Sequence, residues 1–397
     1  MTQDPLAPFR GAELAPFANP QATEPPGTLL TAGAIDQARE AICTWPGYEP
    51  TPLVALPGLA KAAGLGALYY KDEGGRFGLG SFKALGGAYA VYRLLAGELE
   101  KRHGIAPLSG EALRDGGHRA LTQEITVASA TDGNHGRSVA WGARLFGCRC
   151  VIYIHAEVSA GREAALKAQG ADVVRVTGNY DDSVRQCAED ADANGWVVVS
   201  DTSWEGYREI PGDVMAGYSV MASEIVEQLG EQPPSHVFVQ GGVGGIAGTL
   251  CDVFHKAWGA KRPRFLVVEP ELAACLHASA RAGRPAVVEI EEETLMAGLS
   301  CGEVSMIAWD TLASGADDFL TVSEDLVAPA MTLLADGPFG DPALVAGESA
   351  VAGLAAALAG ATAGALGLDE TSRVLVIGTE GATDPEIYQH LTGRQAA

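Results

Sequence analysis

Lys83 is the residue of this chain with the most chemistry within reach. It lies in Lys71-Asp-Glu-Gly-Gly-Arg-Phe-Gly-Leu-Gly-Ser-Phe-Lys83-Ala-Leu-Gly-Gly-Ala88. Before this segment, Ala67–Lys71 is an apolar, aromatic run that reads as a buried strand. After it, Leu85, Ala88, Tyr89, Val91, Tyr92 and Leu95 recur at helical spacing up to Glu98. Ser81 is the expected N-cap, which puts Lys83 in the first turn. The positive end of a helix disfavours an ammonium there and favours the neutral amine, the form that condenses with an aldehyde. Taken alone, Lys83 also reads as an ordinary solvated lysine. The rest of the chain shifts that balance.

Three loops bear on it. Gly241-Gly-Val-Gly-Gly-Ile-Ala-Gly248 follows the apolar run His236–Gln240 and precedes a helical pattern. Its glycines allow successive backbone N–H groups to face an anion at a helix N-terminus. No Lys-Ser/Thr of a nucleotide loop follows, so a phosphate on a small cofactor fits better, and a mere tight turn stays open. Thr131-Asp-Gly-Asn-His-Gly136 offers amides for a carboxylate, the Asn134 amide for a cofactor oxygen and the Asp132 carboxylate. Asp201-Thr-Ser-Trp-Glu-Gly-Tyr207 adds an acid and two aromatics. Either acid alone also reads as a turn residue.

These loops need strands to carry them. Ile125–Ala130, Cys150–Ile154, Val173–Val176, Trp196–Ser200, His236–Gln240, Arg264–Val268 and Val374–Ile377 read as strands alternating with helices. One of those helices is capped near Ser159. The pattern predicts an α/β fold with mostly parallel, helix-covered sheets and ligands at the strands' carboxyl ends. Residues 106–118 read as a surface excursion. The uncharged, Ala/Gly-rich run 349–368 reads as a buried helix rather than a membrane span.

The chain has 397 residues and a net charge of −23, which argues against nucleic acid or an anionic membrane as a partner. Its seven cysteines show no paired or metal-ligand rhythm, so no metal site is expected. With no signal-like opening segment, a cytoplasmic protein is expected.

In this order the motifs resemble fold-type II pyridoxal-phosphate (PLP) enzymes, the tryptophan synthase β / threonine dehydratase group. The resemblance implies two three-layer α/β/α lobes with the active site in the cleft between them. It assigns 1–85 and 196–397 to a large PLP-binding domain and 86–195 to a small inserted one. It implies that Lys83 joins the cofactor aldehyde and that Gly241, Gly242, Val243, Gly244 and Gly245 hold its phosphate. Asn134 and Thr379 would contact its ring. Thr131, Asp132, Gly133, Asn134, His135 and Asp201 would face the substrate.

The likeness narrows. Arg76-Phe-Gly-Leu, Phe82-Lys-Ala-Leu-Gly-Gly-Ala-Tyr89, Thr131-Asp-Gly-Asn-His-Gly-Arg137, Asp201–Tyr207, Met296–Glu303, Asp341 with Gly347-Glu-Ser349, and Thr379–Asp384 are similar to the diaminopropionate ammonia-lyases, from about Tyr48 to Tyr388. Two departures stand out: Gly80-Ser81 where the family has Asn-Ala, and Ala350 where it has Gly. The resemblance implies α,β-elimination of ammonia from D- and/or L-2,3-diaminopropionate, giving pyruvate and two ammonia. Lys83 and Asp132 would act as bases on opposite faces, and Asp201 would attract the leaving ammonium. Burial is expected to raise either aspartate. Thr379 would face the pyridine nitrogen. Cys275 and Cys301 stand where the family also has cysteines; pairing across the loop leading to Gly302 stays open beside the free thiols that a cytoplasmic setting favours. A homodimer is implied. The rival readings are a dehydratase of serine, threonine or 3-hydroxyaspartate type, a β-replacement synthase, and a PLP-holding sensor without turnover.

Overall fold

The computed structural model describes residues 4–22, 29–131 and 133–396, so Asp132 lies outside the described residues. Among these, eleven strands are formed: β1 (Phe17–Ala18), β2 (Leu53–Ala55), β3 (Ala67–Asp72), β4 (Thr126–Ala130), β5 (Arg149–Ile154), β6 (Asp172–Arg175), β7 (Val197–Val198), β8 (His236–Gln240), β9 (Arg264–Pro270), β10 (Asp318–Val322) and β11 (Arg373–Gly378). The chain divides into two compact units. The first comprises Met1–Leu29, Pro50–Gly75 and Met221–Ala397; the second comprises Leu30–Glu49 and Arg76–Val220.

The first unit is built on a seven-stranded sheet in the order β1-β10-β9-β8-β11-β3-β2. Its inner strands run parallel, and only the edge strands β1 and β2 pair antiparallel. Every residue of β8 and β10 is buried, as expected where helices cover both faces of a sheet. The uncharged run contributes the helix Ala352–Thr362, buried nearly throughout. Its composition follows from its closeness to the sheet: a Cβ at Gly353 would lie 2.9 Å from the Phe238 carbonyl oxygen.

The second unit carries a four-stranded, all-parallel sheet in the order β6-β5-β4-β7. Along it, helix Lys83–His103 packs against helix Asn134–Phe146 with glycines at the crossing. A Cβ at Gly87 would meet Ser138 Oγ at 2.7 Å, and one at Gly142 would meet Ala88 Cα at 2.7 Å. Larger residues would push the lysine-bearing helix away.

The division differs from the 86–195 insertion read from the sequence. β7 pairs with β4 and so folds with the second unit. Trp45 packs on Phe77, Trp141 and Phe146, bringing residues 30–49 in as well. Strands β1, β2 and β10 were not read from the sequence. No helix among the described residues is long and apolar enough to cross a membrane.

Candidate active site

Lys83 is the first residue of its 21-residue helix. The expected Ser81 cap is not formed. Phe82 occupies the N-cap position without a side-chain cap bond, and Ser81 is buried one residue earlier. The loop before it is held from several sides. Arg76 is buried and donates to the Glu49 carbonyl at 3.2 Å, and Arg137 donates to the Leu79 carbonyl at 3.0 Å. Phe77 adopts a left-handed backbone, φ +51°, and packs 4.8 Å from the Trp141 ring. Such a conformation is costly for a bulky residue and persists where packing over-determines it.

Lys83 Nζ donates to Asp201 Oδ2. Both side chains keep about a fifth of their surface exposed, 21% and 20%. The Phe82 and Tyr218 rings lie 5.4 and 5.8 Å from the ammonium. Tyr218 approaches because Gly86 and Gly217 leave room: a Cβ at Gly217 would sit 2.5 Å from the Leu85 carbonyl oxygen. His135 Nδ1 is 3.9 Å from the same Asp201 oxygen, and its Nε2 bonds the Val199 carbonyl at 3.0 Å.

Burial by itself would raise the Asp201 carboxyl, as the sequence led us to expect. The Lys83 ammonium, and after it His135, outweigh burial and hold this acid well below the usual carboxylate range. Asp201 is therefore an ionised acceptor.

The Thr131 hydroxyl shapes the neighbouring loop. It accepts from the Gly133 and Gly136 N–H groups at 3.1 and 3.3 Å, folding the chain into the N-terminus of helix Asn134–Phe146. The Thr131 hydroxyl thus takes up the Gly136 N–H, the third amide of that helix, while the N-cap residue Gly133 offers no side chain. The second unit thus brings Lys83, Asp201 and His135 together, with Thr131, Gly133 and Asn134 on the same loop as His135.

The phosphate-type loop and Thr379 belong to the first unit. They follow the neighbouring parallel strands β8 and β11, so both leave the same sheet edge. Gly242 and Gly244 take positive φ, +57° and +97°, a conformation other residues adopt only with strain. Gly244 opens the 14-residue helix Gly245–Trp258, which has no side-chain cap. The Gly241 N–H is spent on the Val268 carbonyl at 2.8 Å, so it shapes the loop. An uncapped helix start behind two left-handed glycines fits a phosphate. Thr379, at the end of β11, is buried.

Below this loop lies a carboxyl that the sequence did not single out. Glu269 is buried and accepts from the Leu276 and His277 N–H groups at 2.9 and 2.7 Å. Burial pushes it up to about 8, against those two bonds. A Cβ at Gly241 would lie 2.6 Å from its Cγ, which explains the glycine there. Neither Cys275 nor Cys301 is disulfide-bonded, and Cys275 Sγ lies 3.5 Å from the Gly242 carbonyl oxygen.

The family described as "Pyridoxal-phosphate dependent enzyme" matches residues 44–380. The diaminopropionate ammonia-lyase of Escherichia coli strain K12 is 39% identical over 356 residues, 87% of each chain. The chain belongs to the diaminopropionate ammonia-lyase family of PLP-dependent enzymes. Among solved structures, the holo diaminopropionate ammonia-lyase of E. coli matches with a TM-score of 0.89 at 35% identity, over 96% of this chain and 97% of that one. The same E. coli enzyme in complex with an aminoacrylate-PLP azomethine reaction intermediate matches with a TM-score of 0.86 at 34% identity and the same coverage. The fold is fold-type II, two α/β/α lobes with mostly parallel sheets, and the cofactor is pyridoxal 5'-phosphate.

Proposed function

We infer that this chain removes ammonia from Cβ of 2,3-diaminopropionate, giving pyruvate and two ammonia with the uptake of one water. The observation that carries this reading is the Lys83–Asp201 pair: an amine at a helix start facing a carboxylate held ionised beside it. PLP, when bound, supplies an electron sink that makes the Cα–H of a joined amino acid acidic.

Lys83 is the residue that would join the cofactor aldehyde and, once released, take the Cα proton from one face. Asp132, outside the described residues, is assigned to the opposite face, as acceptance of both enantiomers requires. Asp201 serves the positively charged Cβ amine, which a carboxylate attracts and a hydroxyl leaving group would not need. Thr131, Gly133, Asn134 and His135 would seat the substrate carboxylate at their helix start, with Asn134 also reaching the cofactor. Gly241, Gly242, Val243, Gly244 and Gly245 would hold the phosphate, and the neutral Thr379 hydroxyl would face the pyridine nitrogen. We place the enzyme in the cytoplasm as a homodimer, which light scattering of the purified protein checks.

The reading is tested by pyruvate release from D- and L-diaminopropionate beside D- and L-serine, with the parent and Asp132→Asn. Turnover of both diaminopropionate enantiomers, with one selectively lost in the variant, is the expected result. Turnover of the hydroxy amino acids alone would move the chain to the dehydratases.

A further inference from the structure

β7 is only two residues long, and its pairing with β4 ends at Val198. Asp201 comes three residues later, so beyond the Val199 N–H bond to the Ala128 carbonyl (2.8 Å), side chains must set its place. The Tyr207 hydroxyl donates to the Val198 carbonyl at 2.8 Å and accepts from the Ser200 N–H at 3.0 Å. It thereby spans the carbonyl and the amide that a neighbouring strand would otherwise have paired. Ser129 Oγ donates to the Val199 carbonyl at 2.8 Å, and His135 Nε2 bonds the same oxygen. Tyr207 is itself held by a tight turn. Trp204 and Tyr207 form a two-residue bridge around Gly206, φ +83°, and their rings stack at 4.1 Å with planes 13° apart.

We propose that Tyr207 is the positioning residue for Asp201: its hydroxyl fixes the end of β7 so that the Asp201 carboxylate meets Lys83. The proposal rests on the role given to Asp201 above. Burial pushes the Tyr207 hydroxyl well above the phenol range, so it stays a neutral donor and acceptor at working pH. The titratable groups around Asp201 are Lys83, His135, Tyr207 and Tyr218. Of these, Tyr207 is the one whose hydroxyl bonds the backbone on both sides of Val199. The sequence signal was the aromatic pair in Trp204-Glu-Gly-Tyr207, read there without a role.

The test is Tyr207→Phe, which keeps the ring and its stack but deletes both hydroxyl bonds. The controls are Asp201→Asn and Tyr153→Phe; the latter loses a comparable bond, Tyr153 Oη to Asp190 Oδ2 at 2.6 Å, elsewhere in the same unit. Two quantities are read in the holoenzyme: the pH profile of kcat/KM, and the pH titration of the cofactor's visible absorbance without substrate. In Tyr207→Phe, kcat/KM falls about tenfold, the loss expected for one to two hydrogen bonds. The acid limb moves to higher pH as Asp201 loses the cation beside it, and the absorbance titration, which reads the Lys83 nitrogen joined to the cofactor, moves to lower pH as that nitrogen loses the carboxylate; Tyr153→Phe leaves both in place. If Tyr207→Phe matches the parent in both readouts while Asp201→Asn alters them, the proposal fails and the role of Asp201 stands. An unaltered Asp201→Asn overturns that role and the proposal with it. Should Tyr207→Phe not fold, Ser129→Ala removes one bond to the same segment and must shift each readout in the sense given for Tyr207→Phe; no shift overturns the proposal.

Discussion

Lys71, in the first unit, and Lys83, in the second, are each paired with a carboxylate, and the two pairs serve opposite ends. Lys71 is fully buried and its partner Glu224 nearly so, at 0% and 4%. Its ammonium donates to Glu224 at 2.7 Å, to the Thr51 carbonyl at 2.8 Å and to Gln228 Oε1 at 3.1 Å. Three protons meet three acceptors, and none faces solvent. Lys83 sits at a helix start and shares Asp201 in a site that stays partly open. A buried, saturated pair holds a fold; an accessible pair on a braced loop can exchange partners. A third pair makes the electrostatics plain. At Arg93–Asp213 burial outweighs the guanidinium and pushes the acid up to about 6, whereas at Lys83–Asp201 the cation outweighs burial.

The largest expected effect is on chemistry. Lys83→Ala lowers turnover by about 10²–10⁴-fold or more while its melting curve stays with the parent's. Normal turnover from a cleanly folded variant would break the contrast. Lys71→Met does the reverse. It leaves Glu224 buried without its cation and costs about 3–5 kcal/mol in denaturant unfolding, with turnover per folded molecule unchanged. Adding Glu224→Met should recover most of that loss, because an apolar pair replaces a buried ionic one at little net cost.

Gly87→Ala tests the bracing of the Lys83 helix. The added methyl meets Ser138 and destabilises by about 1–3 kcal/mol. The smallest effect belongs to Asp213→Asn. Asp213 binds its proton more tightly folded than unfolded, so its contribution is whole below about pH 3.8 and lost once the pH passes about 6. Relative to the parent, the variant gains stability over that window by less than about 1 kcal/mol. Melting curves at pH 4 and pH 8 check the sign.

Much of this was legible in the chain. The inner strands showed as continuous apolar runs, and the glycine loops at their ends marked the turns that open helices Gly245–Trp258 and Asn134–Phe146. Ser159 does cap its helix, accepting from the Arg162 N–H at 3.2 Å. What escaped depends on distant partners. β1 and β2 are short edge strands that exist through antiparallel pairing with β10 and β3. β10 sets Asp318 and Thr321 among Phe319, Leu320 and Val322 with no regular period, and its burial comes from the sheet around it. Asp201 was expected to be raised because burial is local knowledge, while the lysine that lowers it lies 118 residues away. Tyr218 and Glu269 carried no local signal; their places beside Lys83 and below Gly241 are set by glycine-permitted approach.

The most direct test of the contrast is to reduce the PLP-loaded enzyme with borohydride, digest it, and locate the pyridoxyl group by mass spectrometry. The account predicts the label on Lys83 and none on Lys71. A label on Lys71 or another lysine, with Lys83 unmodified, would contradict it.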